Sequence, residues 1–139
     1  MEAMKFYKCS ICGNMVALVQ SGGGTLTCCG KPMEEVVANS VDAAQEKHVP
    51  VITERGMEVV VTVGSTAHPM EPDHYIQWIV LSTKEGNQRK ELKPGEKPQA
   101  TFMITNGDTI TGAFAYCNKH GLWKADGYKP GYSKMNEPK

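Results

Sequence analysis

The sequence predicts an all-β protein in two parts, a small N-terminal metal knuckle followed by an antiparallel β-sandwich. Three observations carry that expectation. Four of the five cysteines fall within residues 1–36, a segment too short to bury a core unaided. Beyond residue 44 the apolar residues come in short β-rich runs separated by turn residues, at the spacing of sandwich strands. There are no heptads, no internal repeats and no low-complexity tract beyond Gly22-Gly23-Gly24.

Residues 1–36 hold Cys9, Cys12, Cys28 and Cys29, the glycine turn and short runs such as MVALV, with no helical face, and they read as a knuckle of short strands. Residues 37–44 carry neither cysteine nor alternation and suit a linker. The sandwich is expected over 45–128, with strands in MEVVVTVG at 57–64, YIQWIVLST at 75–83, QATFMIT at 99–105 and ITGAFAYC at 110–117. In QATFMIT, Ala100, Phe102 and Ile104 alternate with Thr101, Met103 and Thr105, the period of a sheet with one buried face. NGD at 106–108 then reads as a hairpin turn. KEGNQRKELKPGEKP at 84–98, with two prolines and two glycines among its charges, reads as a solvated loop. Residues 129–139 read as a loosely held tail.

Fifteen Lys plus Arg balance fifteen Asp plus Glu, so overall charge gives no case for a nucleic acid or an anionic membrane as partner. No window approaches eighteen apolar residues, and MEAMKFYKCS lacks the apolar core of a secretory signal, so a soluble cytoplasmic protein is expected. In a reducing compartment an odd set of five cysteines points to metal or redox chemistry and away from a disulfide framework.

CSIC places Cys9 and Cys12 in a short chelating loop before Gly13, and CCG supplies Cys28 and Cys29 before Gly30. Four thiolates around one ion is the implied geometry. Adjacent side chains tend to point apart, so using both Cys28 and Cys29 requires a bent backbone. Spacing leaves zinc and iron open, since both take tetrahedral thiolate sites. A bond between Cys28 and Cys29 would be strained.

Cys117 and all four histidines lie in the second part, at loop or strand-end positions: His48 in QEKHVPVI, His68 and His74 at the ends of HPMEPDH, and Cys117 with His120 in CNKHG. Singly, each histidine reads as an ordinary surface or core residue. Together they offer four nitrogens and one sulfur, too many for a structural tetrahedral zinc, and a plane of nitrogens with one thiolate leaves a sixth position vacant. Iron with an open site suits such a set. A blue-copper site would want a methionine soon after the last histidine, and GLWKADGYKPGYSK at 121–134 has none.

CSICGNMV, GGGTLTCCGKPM, EKHVPVI, HPMEPDHYIQWI and AYCNKHGLW, in this order and spacing, closely resemble the desulfoferrodoxin family of two-iron superoxide reductases, over nearly the whole chain up to about Asp126. The resemblance implies a desulforedoxin-like domain, in which Cys9, Cys12, Cys28 and Cys29 hold a ferric ion, joined to an immunoglobulin-like sandwich with the catalytic iron. His48, His68, His74 and His120 would be the equatorial ligands of that iron and Cys117 the axial one. It further implies that Lys47 attracts superoxide and assists protonation, that Glu46 is a ligand of the oxidised resting state, and that the protein is a homodimer. The implied reaction reduces superoxide by one electron to hydrogen peroxide without forming dioxygen. A rubredoxin or similar small iron protein would be the donor, and the tetrathiolate iron is read as structural in preference to a relay. A dismutase and a colourless structural zinc protein are the competing readings.

Overall fold

A computed structural model of the chain describes residues 4–127 and, as backbone, 132–135. The chain divides into two compact units, Met1–Val37 and Ala38–Lys139.

In the first unit β1 (Lys5–Lys8) pairs antiparallel with both β2 (Met15–Leu18) and β5 (Glu34–Val36), while β3 (Thr27–Cys28) and β4 (Lys31–Pro32) form a separate two-residue ladder. Among its described residues only Phe6 and Cys9 are buried. So little burial cannot offset the entropy of ordering more than thirty residues, and a bound ion is the remaining source of cohesion.

The second unit begins with one helical turn, α1 (Gln45–His48), and continues through β6 (Pro50–Arg55), β7 (Glu58–Val63), β8 (Ile76–Thr83), β9 (Gly86–Glu91), β10 (Gln99–Met103), β11 (Ile110–Cys117), β12 (Gly121–Asp126) and β13 (Tyr132–Met135). Two four-stranded sheets result, ordered β10-β7-β6-β13 and β12-β11-β8-β9. Ile52, Val59, Val61, Val63, Ala100, Phe102 and Ile104 of the first meet Ile76, Ile79, Leu81, Ile110, Ala113, Ala115 and Cys117 of the second in one buried core. The alternation expected in QATFMIT is present: Ala100, Phe102 and Ile104 face that core, with Thr101 and Met103 exposed. The unit is a β-sandwich.

Four expectations need correction. Gly86–Glu91 is not loop but an edge strand on β8, paired from Trp78 with Glu91 to Thr83 with Gly86. All six residues are exposed, so backbone pairing sustains the strand without an apolar face, and its charges suit an unpartnered edge. Pro94 and Pro98 lie beyond it in the connection to β10. NGD is not a hairpin, because β10 pairs with β7 and β11 with β8 and β12; the turn crosses between the sheets. Part of the expected linker is tied down: Asn39 donates from its backbone N–H to the Leu122 carbonyl, and its amide exchanges hydrogen bonds with the Lys124 backbone. Part of the expected loose tail, Tyr132–Met135, adds to β6 as a parallel strand, an exception to the antiparallel pattern; the rest of the tail lies outside the described residues.

The register brings one set of strand ends together. Pro50 opposes Val63, and Cys117 opposes both Ile76 and Gly121, so α1, the β7–β8 connection and the β11–β12 turn share one end of the sandwich. Cys117 points inward by the same alternation as Ala113 and Ala115, and a register shift between Tyr116 and Cys117 against β8 sets Ile76 opposite it, so both join the core. At the end of β7 the chain runs directly beneath α1: a Cβ on Gly64 would stand 2.6 Å from the Glu46 carbonyl oxygen and 3.0 Å from the Lys47 carbonyl carbon. These are backbone atoms with no rotamer to yield. Gly64→Ala is therefore expected to lower stability by about 1–3 kcal/mol, measured by denaturant titration of the metal-loaded protein.

Two candidate metal centres

The first centre is built from two bent loops. Cys9 is buried at the end of β1, its Sγ accepting the backbone N–H groups of Ile11 and Cys12 at 3.4 Å each. Cys29 has φ +53°, a left-handed conformation uncommon outside glycine, and this is the bend that adjacent ligands demand. It leaves the sulfurs of Cys28 and Cys29 3.9 Å apart and those of Cys12 and Cys28 3.6 Å apart. All four sulfurs lie within 4.8 Å of one another. Metal–sulfur bonds of about 2.3 Å in a regular tetrahedron require edges of about 3.8 Å, so the thiols are already close to that geometry. Asn14 joins the loops, accepting the Cys9 N–H on its carbonyl at 2.8 Å and placing its side-chain amide 3.7 Å from the Cys28 sulfur.

The thiols differ in acidity. The N–H groups of Cys12 and Ile11 hold the Cys9 thiol down at about 6. Cys29 is pushed up to about 12 by the thiols of Cys12 and Cys28, and Cys28 is raised by Cys12 and Cys9. Sulfurs this close cannot all carry negative charge unless a cation lies among them.

At the end of the sandwich four imidazoles form a closed ring. His48 and His68 have centroids 4.7 Å apart, His68 and His74 4.8 Å, His74 and His120 5.1 Å, and His120 and His48 4.8 Å, each pair edge to face. Cys117, fully buried, reaches the ring from the core, its Sγ 4.0 Å from His120 Nδ1. The ligand atoms of His48, His74, Cys117 and His120 lie within 4.8 Å of one another.

The proton positions follow from the acceptors. His48 Nδ1 lies 2.7 Å from the Ala44 carbonyl oxygen and His68 Nδ1 2.7 Å from that of Pro69, so each Nδ1 carries the proton and donates. Burial lowers the pKa of both, that of His68 to about 4, so the rings are neutral at pH 7. Each Nε2 then bears a lone pair, yet the two stand only 3.2 Å apart, with His120 Nδ1 3.1 Å from the first. His74 Nε2 is buried without any hydrogen-bond partner. Facing lone pairs and an orphaned buried nitrogen are resolved by one thing, a shared cation. The residues present fit a metal at both centres.

The structure thus brings together Cys9, Cys12, Cys28 and Cys29 at one point, and His48, His68, His74, Cys117 and His120 at another. Glu46 and Lys47 extend exposed side chains from α1 beside His48, on which their charges act in opposite directions. Sequence reasoning missed three supports. Trp123 stacks on His48 at 4.8 Å and donates its indole N–H to the His120 carbonyl at 3.0 Å. Gly64 admits α1, whose Glu46 carbonyl accepts the Thr66 N–H at 2.8 Å. Asn118 ties two ligand-bearing segments together. Trp123 and Asn118 stand inside AYCNKHGLW, but nothing in a linear pattern reveals what a tryptophan or an amide touches.

A tetrathiolate knuckle and a sandwich bearing four histidines and one cysteine define a non-haem metalloprotein with two centres. Residues 1–36 match the desulfoferrodoxin N-terminal domain and residues 40–126 the desulfoferrodoxin domain. The chain belongs to the desulfoferrodoxin family. It is 48% identical over 126 residues to the desulfoferrodoxin of Syntrophotalea carbinolica, covering 91% of this chain and 98% of that one. Over 102 residues it is 40% identical to a superoxide reductase of Pyrococcus horikoshii, with 61% of this chain and 89% of that one covered. The crystal structure of the superoxide reductase from Treponema pallidum superposes with a TM-score of 0.76 at 38% identity, over 90% of this chain and 100% of that one.

Because Cys28 and Cys29 hold their protons at pH 7 while Cys9 does not, metal uptake at the tetrathiolate centre is expected to release protons and to weaken as the pH falls. Titrating metal-free protein with ferrous iron or zinc in a weakly buffered indicator solution measures this; uptake without acidification would contradict it.

Proposed function

We propose that the chain is a superoxide reductase, passing one electron to superoxide and, with two protons, releasing hydrogen peroxide. The observation that carries this reading is the closed ring of four imidazoles capped from the core by Cys117. Five protein donors leave one position of a six-coordinate ion for a small anion, and a buried thiolate is the electron-rich partner that a reducing site needs. When bound, ferrous iron supplies the electron and a ferric product state that an external donor returns to ferrous.

The remaining tasks fall to the chain. His48 and His68 keep their outward nitrogens bonded to carbonyls, so their inner nitrogens stay free of protons and available as ligands. Cys117 lies among Ile76, Ala115 and other apolar side chains of the core, which exclude water from its sulfur. In this reading Lys47 draws the anion in, because a chain of zero net charge offers no overall steering, and it orients the water that delivers protons to the departing peroxide. Glu46, exposed on α1 beside His48, would be the chain's further ligand when the bound iron is oxidised. The reading also takes in a rubredoxin-like electron donor, a homodimer and a cytoplasmic setting, all carried by the family. Among the described residues no helix is long and apolar enough to cross a membrane.

A superoxide pulse given to reduced, iron-loaded protein is expected to yield peroxide and consume the stored electron without evolving dioxygen. Dioxygen at half the superoxide consumed would mean a dismutase, and no reaction together with a zinc-only, colourless protein would mean a structural role. Cys117→Ser should lower peroxide production by more than the ~10–100-fold typical of outer-shell changes, with the tetrathiolate absorption unaltered. Lys47→Ala should slow superoxide association by about three- to tenfold at low ionic strength, the difference shrinking as salt is added; stopped-flow kinetics at two salt concentrations decides it.

A further inference from the structure

We infer that Asn118 is the positioning residue of His74, clamping the HPMEPDH loop to the turn that carries Cys117 and His120. The inference rests on the proposed metal site and concerns how its ligand set is closed.

The four histidines are not held alike. His48 and His68 are each oriented by a ring N–H given to a carbonyl oxygen, and the His120 carbonyl accepts the Trp123 indole. The buried Nε2 of His74 has no partner, and the bonds that fix this residue lie in the backbone around it. Glu71 and His74 exchange N–H···O bonds of 2.9 and 3.0 Å, closing the loop upon itself. What ties that loop to the other ligands is the Asn118 side chain. Its Oδ1 accepts the N–H of Tyr75 at 2.9 Å and its Nδ2 donates to the carbonyl of Asp73 at 3.0 Å, so the amide grips the residues immediately before and after His74. The Asn118 backbone N–H adds a third bond, to the Tyr75 carbonyl at 3.2 Å.

The local register explains why a side chain is used. The ladder between β8 and β11 shifts next to Cys117 and ends with Cys117 opposite Ile76. Past that point the chain turns toward His120 and regular pairing stops, so the loop peptides would lack partners on this side. A carboxamide offers a donor and an acceptor on one short, planar group, and so satisfies one carbonyl and one N–H at once. Aspartate keeps the acceptor and loses the donor; alanine loses both. The Lys119–Asp73 ion pair, 4.0 Å long and solvent-exposed, is a second tie between the same segments and a weak one. Lying in sequence between Cys117 and His120, Asn118 thus fixes three of the five donors to one another.

The test loads wild type, N118A, N118D and H74A with cobalt(II) as a visible probe of the second centre. Its spectrum and its release to a chelator are followed, with circular dichroism reporting the fold. N118A is expected to release cobalt about 10–100-fold faster than wild type, with a spectrum shifted toward that of H74A, and N118D to fall between. Adding N118A to H74A should then accelerate release little further. A wild-type spectrum and release rate in N118A, or an undiminished N118A effect in the H74A background, overturns the inference. If N118A does not fold, N118D decides by the same measure. If wild type takes up no cobalt at this centre, the functional reading fails, and the clamp is judged on metal-free protein by hydrogen exchange. The Tyr75 amide should be protected in wild type and lose protection in N118A, whereas equal protection overturns the clamp.

Discussion

Lone pairs that face one another across 3.2 Å, on buried imidazoles that cannot take up protons at neutral pH, are the constraint around which the second unit is organised. Each ring is held with its free nitrogen inward by a carbonyl behind it, so the chain forgoes the proton that would relieve the contact. Such an arrangement is stable only with a cation at its centre. The first unit reaches a like condition with sulfur: four thiols stand at tetrahedral spacing, with backbone N–H groups lowering the pKa of Cys9 and neighbouring thiols raising that of Cys29. In both places the fold prepares a site whose strain the metal removes, and this couples loading to stability.

The sandwich serves that purpose by ending its strands together. Its core is an ordinary interdigitation of Val, Ile, Leu and Phe from two sheets, and the chemistry stands at one rim, where strand ends, one helical turn and two connections meet. Cys117 belongs to both: it closes the core cluster and presents its sulfur to the histidine ring. A thiolate in that position is shielded from water on the side where exposure would dissipate its charge. The imidazoles stand on the helical turn, the connection and the strand turn that meet at this rim. Backbone fit at this rim is close, as Gly64 beneath α1 shows, so the exposed pair Glu46 and Lys47 is carried on a firmly seated turn.

Legibility in the sequence followed the locality of the interaction. Alternation in QATFMIT announced its buried face, because a strand's side-chain period is a property of the strand alone. The strand Gly86–Glu91 was hidden because an edge strand with both faces in water needs no apolar pattern, only a neighbour with free backbone groups. NGD has the composition of a hairpin turn, but β10 and β11 find partners in different sheets, and local composition carries no information about that choice. Asn39 and the strand Tyr132–Met135 escaped for the same reason, each being secured by a segment distant in sequence.

By itself the sequence determined the donor atoms, their kinds and their grouping into one all-sulfur set and one of four nitrogens and a sulfur, since residue chemistry and spacing are written locally in CSIC, CCG, EKHVPVI, HPMEPDH and CNKH. Tertiary structure alone decided the bend at Cys29 that turns neighbouring thiols to one point, the tautomers fixed by Ala44 and Pro69, the register shift that sets Ile76 opposite Cys117, and the grip of Asn118 on either side of His74. Those features depend on which backbone carbonyl or N–H stands next to which side chain, and that proximity exists only once strands far apart in sequence have paired.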